Sequence, residues 1–596
     1  VYDGSAMRIY VDGEPDPAPP TRASGPVDPS LTSCGVGALL GRYSFSGVID
    51  EVRIYNRALS AEQIAASHQE GRDSLVAQAD VTVEPQRIGA PKRVFRKPAR
   101  EVNMVEDGFI WIDAEDFDDY GGWLLDTQFV HIMGSAYLIA AGVGTPVEDA
   151  TTRVPVAAAG TYRLWARTKN WIPEHSPGSF RISINGETVD RLLGVADAEG
   201  WTWENVGDFE LPAGDIPLAL NDQTGYYGRC DALILTSDMA YGPPVEVEAI
   251  RAERARLTGI SLAPIEMGEW DVIVVGAGAA GSVAALSAAR MGARTALIQN
   301  RPVLGGNSSI ENGVPINGAA SLHSNARESG VIEEIGRIKA RFGFPKMSEA
   351  FRKGAEGEGN LSVFLNQHVF AAEMYGDSRI AAVRAVSTLE NTITVYRAKE
   401  FLDCTGDGWL GYFAGAEYRL GREARGEFDE DLAPEVADTI TMSGCLMGDL
   451  GISFRSADTG EPTPYEAPPW VPQFSPATLK SRSVSGVTSG NWWLEHDGTI
   501  DDLWDPERAR DELIRISYGY WNHLKNDWAE RDRAATFELA YVPISLAKRE
   551  SRRLVGDYIL NQNDVLGARV FPDRIGYGGW PLDIHHPRGI YSGPEG

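Results

Sequence analysis

The hydrophobic and polar positions follow a short-strand pattern in the part of the chain before residue 244. Runs with β character are separated by clusters of turn residues, and they include Met7–Val11, Phe109–Ile112, Thr161–Ala166 and Phe180–Ile184. This spacing is typical of β-sandwich domains, whose strands are short and whose turns recur regularly. We therefore expect two sandwiches, separated by a basic linker at residues 71–100.

Two local signals refine the first of these regions. Asp12-Gly13 follows the first strand and predicts a two-residue hairpin turn. Ser60 and Gln63 precede an Ala-rich run, and their spacing predicts a capping box at a helix N-terminus.

The pattern changes after Pro243-Pro244. Residues 245–257 interleave Glu and Arg at helical spacing and predict a connector helix. Val272–Val275 is a continuous apolar run, as expected for a strand buried on both faces. A glycine-rich turn separates this strand from a predicted helix at Ser282–Met291, and a second strand is predicted at Thr295–Ile298.

The glycine-rich turn has the pattern G-x-G-x-x-G in its strand–turn–helix–strand context. Gly276 permits the tight turn, Gly278 lets the backbone approach a pyrophosphate, and Gly281 lets the helix pack on the strand. The first amides of the helix, those of Ala279 and Ala280 among them, are then available to phosphates. The motif predicts a dinucleotide site.

The usual ribose-binding acid is missing from its expected place. It normally stands about 20 residues after the glycine turn, but the chain has Gln299 and Asn300 there. An amide side chain still donates and accepts hydrogen bonds, so Gln299 is expected to contact the ribose.

Later motifs resemble, in order, those of a family of FAD-dependent oxidoreductases, and the resemblance covers residues 269–596. Gly305-Gly306-Asn307-Ser308-Ser309 is similar to the family's GGxxS segment, and Ser324–Ile335 to the helix after it. Leu365–Phe370 resembles the strand that passes the adenine, and Thr405-Gly406-Asp407 resembles the TGD core of the later flavin motif. The resemblance implies bound FAD, with the redox chemistry at the flavin. The expected cofactor-binding residues are Gly276, Gly278, Ala279, Ala280, Gly281, Gln299, Asn300, Gly305, Gly306, Asn307, Ser308, Val369, Thr405, Gly406 and Asp407.

The sandwich regions have resemblances of their own. YDGSAMRIYVDGE and FSGVIDEVRIYNRALSAEQIAA are similar to the C-terminal half of a laminin-G-like, concanavalin-type jelly roll. Residues 101–243 resemble the carbohydrate-binding-type sandwich found beside polysaccharide lyases and in golvesin-like proteins. Both resemblances imply glycan binding, with a purely structural module as the alternative for the first. Because half of the jelly roll and the flavin family's closing Gly-rich segment are absent, we expect both chain ends to be cut.

The expected fold is multidomain: two β-sandwich domains followed by an α/β, Rossmann-like FAD-binding domain with an inserted substrate-side domain. We expect neither sandwich to contribute atoms to the flavin site. The expected boundaries are 1–70 for the partial jelly roll, 71–100 for the linker, 101–243 for the second sandwich, 244–268 for the helical connector, 269–419 for the FAD-binding domain, 420–545 for the insertion and 546–596 for a return toward the FAD-binding domain.

Composition excludes several classes of partner. The formal net charge of −29 repels phosphate backbones and argues against nucleic-acid binding. The uncharged stretch Val272–Ala289 is short and interrupted by Gly and Ser, so no membrane span is expected. The four cysteines lack CxxC spacing, and no metal site is predicted from them. The acidic run at residues 113–119 leaves a calcium site open as an alternative to a solvated loop.

Catalytic candidates lie near the end of the chain. Arg549, Arg552 and Arg553 are expected to clamp a carboxylate or polarise a carbonyl, with surface ion pairs as the alternative. A histidine is the usual base because its pKa lies near neutrality. We expect His585 or His586 in that role, with structural roles as the alternative, and we assign His131 to an accessory domain.

The leading functional interpretation is an FAD-dependent oxidoreductase that transfers hydride between the flavin and an alcohol or carbonyl of a carbohydrate-related substrate. A carbohydrate-binding or adhesion protein with an inactive flavin fold, and a polysaccharide lyase-associated protein, are the alternatives. Sugar-binding modules suggest a periplasmic or secreted location. The side chains expected either to stack on sugar rings or to pack in cores are Trp123, Trp171, Trp201, Trp203, Trp492, Trp493, Trp521 and Trp528.

Overall fold

The computed structural model of the chain describes residues 108–595, except 198, 319–329, 449–450, 480–481, 485 and 575–577, together with short pieces of residues 6–66. The predicted linker at 71–100 and the start of the predicted helix Ser324–Ile335 lie outside the described residues. The chain divides into two compact units, Val1–Arg87 and Ile88–Gly596.

The first unit contains short strands and one capped turn. β2 (Tyr10–Val11) and β3 (Glu14–Pro15) pair antiparallel with Val11 opposite Glu14, as the predicted hairpin requires, and Asp12 and Gly13 lie outside the described residues. The backbone N–H of Ser60 donates to Oε1 of Gln63 at 3.1 Å, and that of Gln63 donates to Oγ of Ser60 at 3.3 Å, which confirms the capping box. The strands described in this unit are β1 (Ala6–Met7), β2 (Tyr10–Val11), β3 (Glu14–Pro15), β4 (Thr21–Arg22), β5 (Ala38–Leu39) and β6 (Tyr43–Ser44).

Residues 108–236 form the second β-sandwich, and its three predicted strands are confirmed as β7, β11 and β12. One antiparallel sheet has the order β10-β15-β12-β13, and the other has the order β14-β11-β16-β9-β8 with β7 paired to β16. The elements are β7 (Phe109–Asp113), a 3-10 turn (Ala114–Asp116), β8 (Leu124–Asp126), α1 (Val130–Met133), β9 (Tyr137–Ala140), β10 (Ala150–Val156), β11 (Gly160–Asn170), β12 (Phe180–Ile184), β13 (Glu187–Thr188), β14 (Gly200–Leu211), β15 (Gly214–Asp222) and β16 (Gly228–Thr236).

Strand burial shows which faces of the sandwich are covered. Burial alternates along β12, where Phe180, Ile182 and Ile184 point into the core, as expected for a strand with one solvated face. Every residue of β16 is buried instead. The connector helix α2 (Val247–Thr258) packs Ile250 and Leu257 against side chains of β16 and so covers its second face.

The next sheet combines parallel and antiparallel strands in the order β19-β18-β17-β22-β21-β20. β17 lies parallel to both β18 and β22, and α3 joins β17 to β18, which confirms the predicted strand–turn–helix–strand unit. The elements are β17 (Ile265–Val275), α3 (Ala279–Arg290), β18 (Thr295–Ile298), a 3-10 turn (Gly306–Ser308), α4 (Val331–Phe342), α5 (Met347–Glu356), β19 (Leu361–Phe364), β20 (Gln367–Tyr375), β21 (Arg379–Ser387) and β22 (Ile393–Asp403).

The rest of the described chain contains small sheets and a long helix, α8 (Pro506–Asn522). The sheets are β25-β24-β28, β26-β27 and β23-β29. The elements are α6 (Trp409–Phe413), β23 (Tyr418–Arg419), α7 (Arg425–Phe428), β24 (Cys445–Gly448), β25 (Gly451–Ile452), β26 (Arg455–Asp458), α8 (Pro506–Asn522), a π turn (His523–Asp527), a 3-10 turn (Arg531–Ala534), β27 (Phe537–Tyr541), β28 (Ser545–Ala547), β29 (Arg553–Leu554), α9 (Gln562–Leu566) and a 3-10 turn (Gly589–Glu595).

Helix α8 and the second sandwich share one hydrophobic core. Trp171 and Tyr227 of the sandwich belong to the same buried cluster as Trp470, Leu513 and Tyr518 of the later region. The aromatic rings meet edge to face, as Trp171 and Trp470 do at 5.3 Å. The sandwich also has a core of its own between its two sheets, and part of it packs in the cluster around α8.

A buried group of charges crosses the same contact. Arg229 lies 2.6 Å from Asp511 and 3.1 Å from Glu507, and all three are buried. Burial alone would raise the pKa of Asp511, but Arg229 and Lys169 outweigh it and hold that pKa below its usual range. The group balances three cations against three carboxylates. This interface charge cluster consists of Asp126, Lys169 and Arg229 from the sandwich and Glu507, Arg510 and Asp511 from α8.

Packing accounts for the tryptophans of the second sandwich that were candidates for sugar stacking. Trp123 and Trp171 are buried. Nε1 of Trp201 donates to Oε2 of Glu507 at 3.0 Å, and Nε1 of Trp203 donates to the carbonyl of Pro244 at 2.9 Å.

The acidic run at residues 113–119 begins with an ion pair between Asp113 and Arg254. Asp113, the first residue of the run, accepts a hydrogen bond from Nε of Arg254 at 2.8 Å. In the described part of the chain, no three His, Cys, Asp or Glu side chains converge as a metal ion requires. Among these same residues, no helix has the length and apolar character needed to cross a bilayer.

We expect Arg229→Met to lower the free energy of unfolding by about 3–5 kcal/mol, because it leaves three buried carboxylates with only two buried cations, those of Lys169 and Arg510. Urea unfolding followed by tryptophan fluorescence measures this. Arg337→Met is the matched control, since Arg337 is 67% exposed and pairs with Glu333 on one helix face. An exposed pair contributes about 1 kcal/mol or less. Equal losses in the two variants would contradict a structural role for the interface charge cluster.

Candidate functional site

A cavity of about 480 Å³ opens where parallel strands end. Val275 and Ile298 are the last residues of β17 and β18, Cys404 directly follows β22, and all three line the cavity. In open α/β sheets, ligands bind at the carboxyl ends of the strands. The topology alone therefore makes this the candidate ligand site.

Most of the predicted cofactor-binding residues come together at this cavity. Ala280 and Gly281 are the exceptions and do not line it. The predicted residues that do line it are Gly276, Gly278, Ala279, Gln299, Asn300, Gly305, Gly306, Asn307, Ser308, Val369, Thr405, Gly406 and Asp407.

Two glycines of the turn are required by the fold itself. Gly276 has a φ of +93°, and a Cβ there would collide with the carbonyl of Cys404. A Cβ on Gly281 would collide with the carbonyl of Gly276, where α3 lies closest to the turn. These two positions match the tight-turn and helix-packing roles predicted for them.

Gly278 is required by neither backbone nor packing. Its φ of −61° and ψ of −176° are open to any residue, and a Cβ there would meet no protein atom within 4 Å. Gly278 nevertheless lines the cavity. A side chain would therefore take space only from a ligand in the cavity, at the position where the G-x-G-x-x-G motif predicts a pyrophosphate.

Donors for that pyrophosphate lie beside Gly278. It caps α3, whose first turn begins with Ala279 and Ala280 and carries no charged side chain. The first amides of a helix lack partners within the helix and favour anions. The Gly305–Gly306 segment closes against the turn, since the N–H of Gly305 donates to the carbonyl of Ala277 at 2.8 Å.

Gln299 braces the glycine turn from the end of β18. Its Oε1 accepts from the N–H of Ala277 at 2.9 Å, and its Nε2 donates to the carbonyl of Val303 at 3.3 Å. An acid at this position would lack the donor that reaches Val303. This local role explains the missing carboxylate, and Asn300 lines the cavity directly beside it.

Asp407 organises the segment that follows β28. Its carboxylate accepts from Nζ of Lys548 and from Oγ of Ser551, each at 2.6 Å. Lys548 lines the cavity and was not among the predicted residues, although it directly precedes Arg549. Asp407 thus holds a cation in the cavity wall.

The predicted catalytic residues are Arg549, Arg552, Arg553, His585 and His586, and Arg549 alone is among the cavity-lining residues that the structure describes. Its Nη2 donates to Oε1 of Glu495 at 2.8 Å. Nδ1 of His585 lies 2.7 Å from the same oxygen, so Glu495 links the two side chains. The bond to Glu495 raises the pKa of His585 despite its partial burial.

Arg552 and His586 are held elsewhere. The guanidinium of Arg552 lies 4.6 Å from the ring centre of Trp409 and 4.4 Å from that of Tyr412, and Nη1 donates to the carbonyl of Asp407. Nδ1 of His586 accepts from the backbone N–H of Arg588 at 3.2 Å. The surroundings of both residues favour a structural role.

The second sandwich contributes to the cavity, which contradicts the expectation that it would not. Gln128, Phe129 and His131 line it. The ring of His131 stacks on that of His368, with the centres 5.2 Å apart and the planes 25° from parallel. These positions are far apart in the chain, and no local sequence signal links them.

Both stacked imidazoles are neutral at physiological pH. Burial, aided by Lys548, lowers the pKa of His131 to about 4. Burial and then His131 lower the pKa of His368 to about 3. Asp502, which does not line the cavity, has the opposite shift, because burial raises its pKa to about 7 against the effect of Lys548.

Comparison with solved structures gives similarities to parts of the chain. The C-terminal family 6 carbohydrate-binding module of the laminarinase LamC from Zobellia galactanivorans is 18% identical, with 22% of this chain and 99% of that chain covered and a TM-score of 0.18. A family 35 carbohydrate-binding module from Clostridium thermocellum is 20% identical over 21% of this chain and 96% of that chain, with a TM-score of 0.18. The FAD-dependent myxobacterial chondrochloren halogenase CndH is 17% identical over 26% of this chain and 41% of that chain, with a TM-score of 0.21.

Comparison with protein families covers both ends of the chain. No curated protein matches at a significant level. A model described as the concanavalin A-like lectin/glucanases superfamily matches residues 1–65. A model described as FAD dependent oxidoreductase matches residues 271–595, which is more than half of the chain and includes all of the cavity-lining residues except Gln128, Phe129 and His131. The chain therefore belongs to the FAD-dependent oxidoreductase family.

Proposed function

We propose that the cavity holds FAD with its pyrophosphate at Gly278, and that the protein transfers hydride between the flavin and an alcohol or carbonyl of a carbohydrate-related substrate. The observation that carries the cofactor assignment is Gly278, where an unstrained backbone position with open space lines the cavity. Residues 269–419 would form the Rossmann-like FAD-binding domain, and residues 420–545 the substrate side.

Arg549 is the residue proposed to act on the substrate. FAD, when bound, accepts or supplies the hydride. Arg549 lines the cavity with a permanent positive charge, and Glu495 fixes its position. A fixed guanidinium stabilises negative charge that develops on a substrate oxygen.

His585 is proposed to position this arginine. It contacts Glu495 from the other side, and its raised pKa keeps it protonated to higher pH than a free histidine. Glu495 is then shared between two cations, so Arg549 keeps part of its charge for the substrate. His586 and Arg552 have other partners, so we assign them no step.

A sugar-like substrate is supported by the exposed ring of Trp492. It is 55% exposed and meets the ring of His585 edge to face at 5.3 Å, close to the Glu495–Arg549 pair. A flat aromatic face with polar groups beside it suits a sugar ring. The match of residues 1–65 to the lectin/glucanase superfamily supports glycan attachment. A periplasmic or secreted location follows from this proposal.

We expect Gly278→Val to abolish FAD binding, because the side chain would take the space of the pyrophosphate. Gly357→Val is the matched control, since Gly357 also has a negative φ and open space for a Cβ but does not line the cavity. The ratio of flavin absorbance to protein absorbance after desalting measures bound FAD. Stoichiometric FAD in Gly278→Val would refute the assignment.

Arg549→Met should slow flavin reduction by about 10²–10³-fold while FAD stays bound, as expected when one preorganised donor is lost. Anaerobic bleaching of the flavin by a panel of sugars and sugar alcohols identifies the substrate and gives the rate. Arg553→Met is the control, because Arg553 pairs with Glu423 and Glu550 away from the cavity. Equal rates in the two variants would remove Arg549 from the mechanism, and a panel without any bleaching would contradict the substrate class.

A further inference from the structure

The part of the second sandwich that reaches the cavity is the segment Thr127–His131, which comprises the turn after β8 and the first residues of α1 and is called the loop below. The residue before it, Asp126, belongs to the interface charge cluster and accepts from Nη1 of Arg510 at 3.0 Å. Oδ1 of Asp126 also accepts from the backbone N–H of Gln128 at 2.9 Å. Asp126 therefore anchors the start of the loop to α8.

The loop bonds to both sides of the cavity. Nη1 of Arg301, just beyond β18, donates to Oγ1 of Thr127 at 2.8 Å. The side chain of Gln128 pairs with β28 as a strand would, donating to the carbonyl of Ile544 and accepting from the N–H of Leu546, each at 2.9 Å. Arg301, Leu546 and Gln128 all line the cavity. The loop thus bridges the glycine-turn side and the Arg549 side.

The ring of His131, in the first turn of α1, forms a flat, uncharged surface in the cavity wall. This ring stacks on His368 and meets Trp409 edge to face at 5.7 Å. All three residues line the cavity. Because both imidazoles are neutral, this wall suits an uncharged, planar or hydroxylated part of a ligand rather than its phosphates. A neutral imidazole also offers one donor and one acceptor.

We propose that the second sandwich is a built-in part of the FAD site and that His131 is a cofactor-contacting residue supplied by it. The proposal rests on the proposed function, since it requires FAD in this cavity. It assigns the sandwich a role in holding the cofactor that is independent of any binding of glycans. FAD then binds to a wall that exists only while the sandwich is docked on α8.

The test uses the full chain, freed of flavin and titrated with FAD while the quenching of FAD fluorescence is followed. His131→Ala should weaken FAD binding about tenfold, the effect of losing one good polar or stacking contact. His131→Gln should recover part of the affinity, because its amide keeps a donor and an acceptor. His175→Ala, at an exposed position of the same sandwich, should bind FAD as the wild type does.

Thermal unfolding of the flavin-free variants separates a lost contact from a lost fold. Weaker FAD binding by His131→Ala or His131→Gln, in a flavin-free chain that unfolds at the wild-type temperature, supports the proposal. Wild-type affinity in the variants that fold overturns it. If Gly278→Val loses FAD while both His131 variants keep it, the proposed function stands without this inference. If Gly278→Val also keeps FAD, the cavity assignment itself fails.

Discussion

Arg229 and Arg510 are fully buried, and a guanidinium is stable there only if carboxylates compensate it at close range. Those carboxylates come from two parts of the chain that are far apart in sequence. The sandwich supplies Asp126, and α8 supplies Glu507 and Asp511. If the sandwich and α8 separated, these buried charged groups would lose their partners. The ion pairs therefore hold the sandwich and α8 in one relative position.

The same constraint sets the walls of the cavity. Pro506 is the first residue of α8 and lines the cavity, and proline is well suited to a first helical position because it needs no partner for an N–H. Asp126 leads directly into the loop that carries Gln128 and His131. The interface charge cluster therefore fixes two parts of the cavity wall, namely Pro506 on α8 and the pair Gln128 and His131 on the sandwich. In this account the sandwich completes the cofactor site, whatever else it binds.

Local chemistry made part of this structure predictable from sequence. The strand β18 and the capping box at Ser60 depend on neighbouring residues, and the structure has both where the pattern places them. The glycine turn is equally local, and the cavity forms around it. The bracing role of Gln299 could not be predicted, because its partner, the N–H of Ala277, comes within hydrogen-bonding distance only when the turn is folded.

Long-range pairing explains what the sequence did not reveal. Lys169 and Arg229 look like ordinary surface charges in a strand, because their partners lie about three hundred positions away on α8. The local sequence places His131 in the sandwich. Its contact with His368 forms only when the sandwich packs against the later part of the chain. Arg552 is a residue type that can clamp a substrate, but its guanidinium packs against the rings of Trp409 and Tyr412. Such pairings are properties of the assembled core.

A crystal structure of the full chain with FAD bound tests the central claim most directly. The account predicts the pyrophosphate against Gly278, within hydrogen-bonding distance of the first amides of α3, and the ring of His131 in contact with the cofactor. FAD bound outside this cavity, or a sandwich separated from α8 while FAD stays in place, would contradict it.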